Sequence, residues 1–172
     1  ASPDGVVPYF ATIGNHDYRT MYTKPNGAAL YEQYFSSARY RGRSWYLEES
    51  GRLGAHAQTF SAGGYRFLHL TFQFEPLDSD LAWAQQMLAR YPGLPTIIST
   101  HSYLNPTTQA RMATLNGDAG FPGDPSNTGE QVFQKLIRPN PQIILVMNGH
   151  FSGEHHQTDR KSTRLNSSHE WI

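Results

Sequence analysis

The sequence predicts an α/β chain, and three observations predict it. Apolar, β-branched runs at 6–13, 95–100 and 142–148 read as buried strands. The second and third of these runs each follow an amphipathic segment of crossover-helix length. All three give way to a glycine, an asparagine or a histidine within a few residues of their ends. At 172 residues the chain is long enough for one domain with a substantial core and too short for a second independent one to be expected.

Element by element, "VVPYFATI" (6–13) combines β-branched and aromatic residues and stops at Gly14, which predicts a strand. Asn15, His16 and Asp17 then fall on the loop at its carboxyl end, and 18–26 reads as loop. In "GAALYEQYF" (27–35), Leu30, Tyr31, Tyr34 and Phe35 recur at helical spacing. The stretches 41–50 and 56–74 alternate like consecutive strands, and Gly63-Gly64 supplies the hairpin turn. His69 shares the alternating face of Tyr65 and Phe67, which gives it the character of a half-buried structural histidine. His56, in a Gly- and Ala-rich stretch, carries no stronger claim.

The clearest helix is 79–93. Ser79 or Asp78 is suited to cap it, Leu81, Ala84, Met87 and Leu88 form its apolar stripe, and Pro92-Gly93 ends it. "PTIISTHSYL" is a strand closing on His101, and a Gly-, Asn- and Pro-rich loop spans 116–128. Thr128 is placed to cap a helix that turns Val132, Phe133, Leu136 and Ile137 inward. The last strand, at 142–148, leads into Gly149 and His150.

Composition narrows the function. Acidic and basic residues balance at 14 each and charged residues make up only 16%, so no basic surface for nucleic acid stands out and none is expected as a partner. No apolar run approaches the roughly 18–20 residues of a membrane span, and no membrane partner is expected. Cysteine is absent, which removes disulfides, thiolate metal sites and cysteine nucleophiles together. The first residues, "ASPDGVVPYF", lack both a start methionine and a signal pattern, so the chain reads as part of something longer.

What remains is a constellation of strand ends. In an α/β sheet, ligands bind beyond the carboxyl ends of the strands, and here those ends carry Asn15 with His16, then His101, then His150. An amide oxygen and two imidazoles suit a divalent transition ion, with the oxygen shifting preference toward the harder ones. The bland alternative, an ordinary polar turn at 14–17 and histidines that each close a separate strand, weakens as the positions accumulate.

"GNHD" (14–17), "STH" (99–101) and "NGHFSGE" (148–154), in this order and with these helices between them, resemble the last three signature blocks of the calcineurin-like metallophosphoesterases. The intervening "SWY", "TFSAGGYRFLHL" and "LAWAQQML" resemble a bacterial branch of that family, so the likeness covers nearly all of 1–158. It implies that 1–158 is the C-terminal part of a metallophosphoesterase domain, an incomplete double β-sandwich flanked by helices. By the same resemblance Asn15, His101 and His150 ligate one metal, His16 is general acid for the leaving alkoxide, and Asp17 holds the His16 ring. The family's chemistry is hydrolysis of a phosphate-ester small-molecule substrate by a hydroxide activated between two divalent ions (Mn, Fe or Zn).

Two departures qualify that implication. The family opens with an Asp-x-His block and a Gly-Asp block that supply the first metal's carboxylates, and Asp4 has no histidine two positions later. The chain alone is therefore expected to bind at most one metal, weakly, and to be inactive by itself. The family's last block usually ends Gly-His-x-His, whereas Gly149-His150-Phe151-Ser152 puts a hydroxyl in the place of the second histidine. His155 and His156 follow too closely on a turning chain to be expected to replace it. The alternative is a phosphoesterase-like binding module that has lost its first metal site.

The segment 159–172 stands apart. It drops the apolar periodicity, and residues 159–169 match the translation of a common sequencing adapter, so a non-native tail is expected there.

Overall fold

The computed structural model describes residues 7–50 and 54–158, and the backbone of 169–171. A short 3₁₀ turn at Lys24–Asn26 precedes helices α1 (Ala29–Phe35) and α2 (Ser37–Tyr40). Strands β1 (Tyr46–Glu49), β2 (His56–Ala62) and β3 (Tyr65–Thr71) then run antiparallel, with β2 and β3 closed by Gly63-Gly64. Both glycines take positive φ (59° and 82°), the requirement of the tight hairpin turn expected from the sequence.

Helix α3 (Asp78–Arg90) crosses over to β4 (Thr96–Ser99), which pairs parallel to β3. Two small hairpins follow, β5 (Leu104–Asn105) with β6 (Ala110–Arg111) and β7 (Gly120–Phe121) with β8 (Asp124–Pro125). Helix α4 (Gly129–Val132) continues into a π-helical turn (Phe133–Ile137) and returns the chain to β9 (Ile143–Met147), parallel to β4. The main sheet is thus mixed, in the order β1-β2-β3-β4-β9. It is extended beyond β9 by β11 (His169–Trp171), antiparallel, and then by β10 (Gln157–Thr158). The α/β class is as the sequence predicts. Of the expected tail, 159–168 and 172 lie outside the described residues, and the backbone of 169–171 pairs on the β9 edge.

The core sits on one face of this sheet. Leu68, Leu70, Ile98 and Val146 meet the α3 stripe of Leu81, Ala84, Met87 and Leu88, together with Val132, Phe133, Leu136 and Ile137. All eight of these positions on α3 and the Thr128-capped helix are buried. The opposite face bears Gln58, Phe60, His69, Ile97, Ser99 and Met147, beneath Pro8 to Phe10, around a cavity of about 360 Å³. His69 lies there half-buried, its ring between Gln58 Nε2 at 2.6 Å and Ser99 Oγ at 2.8 Å.

Helix caps divide between expectation and correction. Thr128 Oγ1 accepts from the Gln131 N–H at 3.2 Å while Gln131 Oε1 accepts from the Thr128 N–H at 2.9 Å, a reciprocal cap. In α3 the N-cap is Leu77 and neither Ser79 nor Asp78. Asp80 accepts from the Leu77 N–H at 3.0 Å, and the Ser79 N–H is taken at 2.8 Å by Asp124 of the β7-β8 hairpin. Asp78 instead binds Lys135 Nζ at 2.7 Å and Asn127 Nδ2 at 3.0 Å. A remote loop has taken over the cap, which local sequence does not encode.

The larger correction concerns 6–13. Residues 7–13 form no strand: Pro8 has no N–H to donate, and no described strand runs alongside. Side chains hold the segment down. Phe10 packs 4.3 Å from Tyr40 and 4.5 Å from His56 between ring centroids, Tyr31 Oη donates to the Ala11 carbonyl at 2.6 Å, and Ile13 is fully buried. In α1 only Tyr31 of the four periodic residues is buried, while Leu30 and Tyr34 are exposed.

Candidate functional site

The segment after Ile13 turns sharply. The Asp17 N–H donates to the Gly14 carbonyl at 3.1 Å and Asp17 Oδ2 accepts from the Gly14 N–H at 2.7 Å, so the aspartate closes its own turn. That turn buries Asn15 and leaves His16 and Asp17 exposed. The carboxylate expected to hold the His16 ring binds, through Oδ2, the backbone of the loop that carries Asn15.

His101 stands two residues beyond β4 and His150 three beyond β9. Because β4 and β9 are parallel neighbours, their carboxyl ends coincide, and the Gly149 N–H donates to the His101 carbonyl at 3.1 Å. His150 takes φ of 71°, the left-handed region that a non-glycine residue occupies at a cost of about 1–3 kcal/mol.

These three positions converge. His101 Nε2 lies 2.9 Å from Asn15 Oδ1, His150 Nδ1 lies 3.2 Å from the same oxygen, and the two ring nitrogens are 3.3 Å apart. Residues separated by 86 and 135 positions in sequence thus place three donor atoms in one small triangle. Burial, reinforced by the neighbouring His150, brings the His101 pKa down to about 4. Burial and then the charge of His16 depress that of His150. Both rings are accordingly neutral near pH 7, with a nitrogen lone pair on each available for coordination.

The turn fits closely against this cluster. A methyl group on Gly14 would come within 3.1–3.2 Å of three atoms of the His101 ring. Behind the imidazoles Phe74 packs 5.8 Å from His101 and 5.3 Å from His150, and Tyr22 and Phe151 meet His150 edge-on at 6.1 and 4.6 Å. The sequence gives no sign of this aromatic cup. Tyr22 lies in what reads as plain loop, yet it has φ of 68° and its N–H donates to the Asn15 carbonyl at 3.2 Å. Lys24, fully buried, has its ammonium 5.4 Å from the Phe74 ring centre, 3.8 Å from Asp118 and 4.0 Å from Glu75. These contacts tie the long loop after His101 to the loop after Asn15.

Ser152 is exposed, and His155 with His156 stack on each other at 6.5 Å. His155 lines a small pocket with Leu104, Pro106 and Phe151. Among the described residues no group of three His, Cys, Asp or Glu side chains is placed to hold a metal ion; the third donor of the triangle is the amide of Asn15.

No family model matches the chain, and no solved structure matches it. It is 26% identical over 153 residues to a protein of Bacillus subtilis (strain 168) described as uncharacterized protein YvnB. That match takes in 89% of this chain, which spans about 10% of the relative's length. No helix among the described residues is long and apolar enough to cross a membrane.

Proposed function

We propose that the chain carries one half of a calcineurin-like metallophosphoesterase site and acts, within a longer protein, in metal-dependent hydrolysis of phosphate esters. The observation that carries this reading is the triangle of Asn15 Oδ1, His101 Nε2 and His150 Nδ1, with edges of 2.9, 3.2 and 3.3 Å. Ligand atoms about 2.1 Å from a common ion stand about 3.0 Å apart at right angles and about 3.4 Å apart in a tetrahedron. Two edges fall between those limits and the third, at 2.9 Å, lies just under the right-angle value; the donor set of one amide oxygen and two neutral imidazoles suits Mn, Fe or Zn.

A divalent ion held there supplies Lewis-acid polarisation of a phosphoryl oxygen and a more acidic water. The chain's own residues do the rest. His16, exposed on the turn that buries Asn15, is the proton donor to the departing alkoxide oxygen. Asp17 fixes the turn by accepting from Gly14, which keeps ligand and acid on one short rigid loop. Phe74 and Tyr22 exclude water from the rear of both imidazoles.

The binding arm of the test is calorimetric titration of this chain with zinc or manganese. One weak site, lost in His101→Ala, is expected; two equivalent tight sites, or none, would sink the reading. The activity arm measures aryl phosphate hydrolysis by a longer protein that adds the Asp-x-His and Gly-Asp blocks, and turnover that collapses in His16→Ala is expected. The exposed Ser152, where a histidine would complete the other metal's shell, favours a second reading, a phosphate-binding module without catalysis. Metal binding with no turnover under any ion would select it.

A further inference from the structure

A separate cavity of about 310 Å³ lies between the α1-α2 segment and the β1-β2 pair. That is the lower end of the range for small-molecule sites, about 300–1,000 Å³. At its wall stands His56, 0% exposed, with neither Nδ1 nor Nε2 hydrogen-bonded. Phe10 stacks on the ring at 4.5 Å and 12°, so the face is occupied and only the two in-plane nitrogens are unspent. A buried imidazole with both nitrogens idle is rare in native proteins and calls for a partner.

The other walls indicate what partner. Glu32 and Glu49 bring carboxylates, Ser37 donates its hydroxyl to Glu49 Oε1 at 2.6 Å, and Ile13 and Tyr31 supply an apolar side. The Tyr31 hydroxyl is already committed to the Ala11 carbonyl. Among the described residues no lysine or arginine lines the cavity, and its polar wall is rich in acceptors. Gly54, at φ of 76°, borders it where a methyl group would come within 3.5 Å of His56 Nε2 and 3.1 Å of Tyr31; glycine keeps the space beside that nitrogen open.

We infer that this cavity is a binding site for a small organic cation bearing a primary ammonium group. The ammonium has three N–H donors, and Glu32, Glu49 and one His56 nitrogen offer three acceptors; the alkyl remainder lies against Ile13 and Tyr31. Burial lowers the His56 pKa to about 4, so at neutral pH the ring does not repel the cation. The inference does not depend on the phosphoesterase reading, since none of these residues belongs to the Asn15, His101 and His150 triangle.

The test titrates n-butylammonium chloride, and n-butanol as the uncharged counterpart, into isotope-labelled protein at neutral pH while the His56 Cε1–H resonance is followed by NMR. A saturable shift with the ammonium only, weakened about 5- to 10-fold in Glu49→Gln, is expected. The exposed Glu32→Gln serves as a second variant if Glu49→Gln perturbs the fold through Ser37. A His56 resonance that never saturates, equal binding of the alcohol, or indifference to loss of the carboxylates would each overturn the inference.

Discussion

Gly14→Ala tests how tightly the Asn15 turn is fitted to the histidine cluster. Gly14 does not use a positive φ, so alanine meets no backbone penalty and the effect isolates one steric contact. The new methyl carbon would lie 3.1 Å from His101 Cε1 and 3.2 Å from each ring nitrogen. Carbon contacts relax at about 3.5 Å or more, so the ring must retreat by about 0.4 Å. His101 Nε2 now stands 2.9 Å from Asn15 Oδ1, and a retreat of that size takes it to the edge of hydrogen-bonding distance. Overpacking of this kind costs about 1–2 kcal/mol, and if His101 ligates a metal as proposed, its displacement should weaken zinc binding about 10-fold. Urea denaturation reads the first effect and calorimetric titration the second. If the variant unfolds at the wild-type urea concentration and the His101 Cε1–H resonance stays in place, the contact is absent and the geometry argued above is wrong.

Two further outcomes follow from buried polar groups. The His56 pKa is about 4 in the fold against an ordinary 6.5, so the unfolded chain takes up a proton first as pH falls. The ring's contribution is therefore complete above pH 6.5 and lost between 6.5 and 4, amounting to about 3 kcal/mol; urea midpoints compared at neutral and acid pH should show a shallower loss in His56→Phe, and an unchanged slope would contradict it. Asp80, 0% exposed, accepts from Ser50 Oγ and Gln73 Nε2 at 2.8 Å and from the Leu77 N–H at 3.0 Å. Asp80→Ala takes the shared acceptor away from Gln73 Nε2 and the Leu77 N–H, both buried, and should cost about 3 kcal/mol in the same assay, whereas a cost under about 1 kcal/mol would show that water replaces the carboxylate.

The helical stripes were legible because each is a local period. Leu81, Ala84, Met87 and Leu88 recur every three or four residues, and any sheet laid against α3 must bury them together. Thr128 was legible as a cap for the same reason, since it acts within four residues, while its reciprocal partner Gln131 came from the structure. The strand expected at 6–13 has the right composition, but a strand exists only through a partner, and composition does not say whether one is alongside. The α3 cap failed similarly: Asp124 reaches Ser79 across 45 positions.

For the site, residue types and their order within the chain singled out Asn15, His101 and His150, because each follows an apolar run, two of which, β4 and β9, lie in the sheet. That the three heteroatoms meet within 3.3 Å was decided by the parallel pairing of β4 with β9 and by the turn that Asp17 closes on Gly14. The aromatic cup of Tyr22 and Phe74, the buried Lys24 and the idle nitrogens of His56 arise only in three dimensions. Periodicity and turn chemistry are written within a few residues and survive in the sequence; burial and convergence depend on contacts between distant segments, and the folded chain alone brings those together.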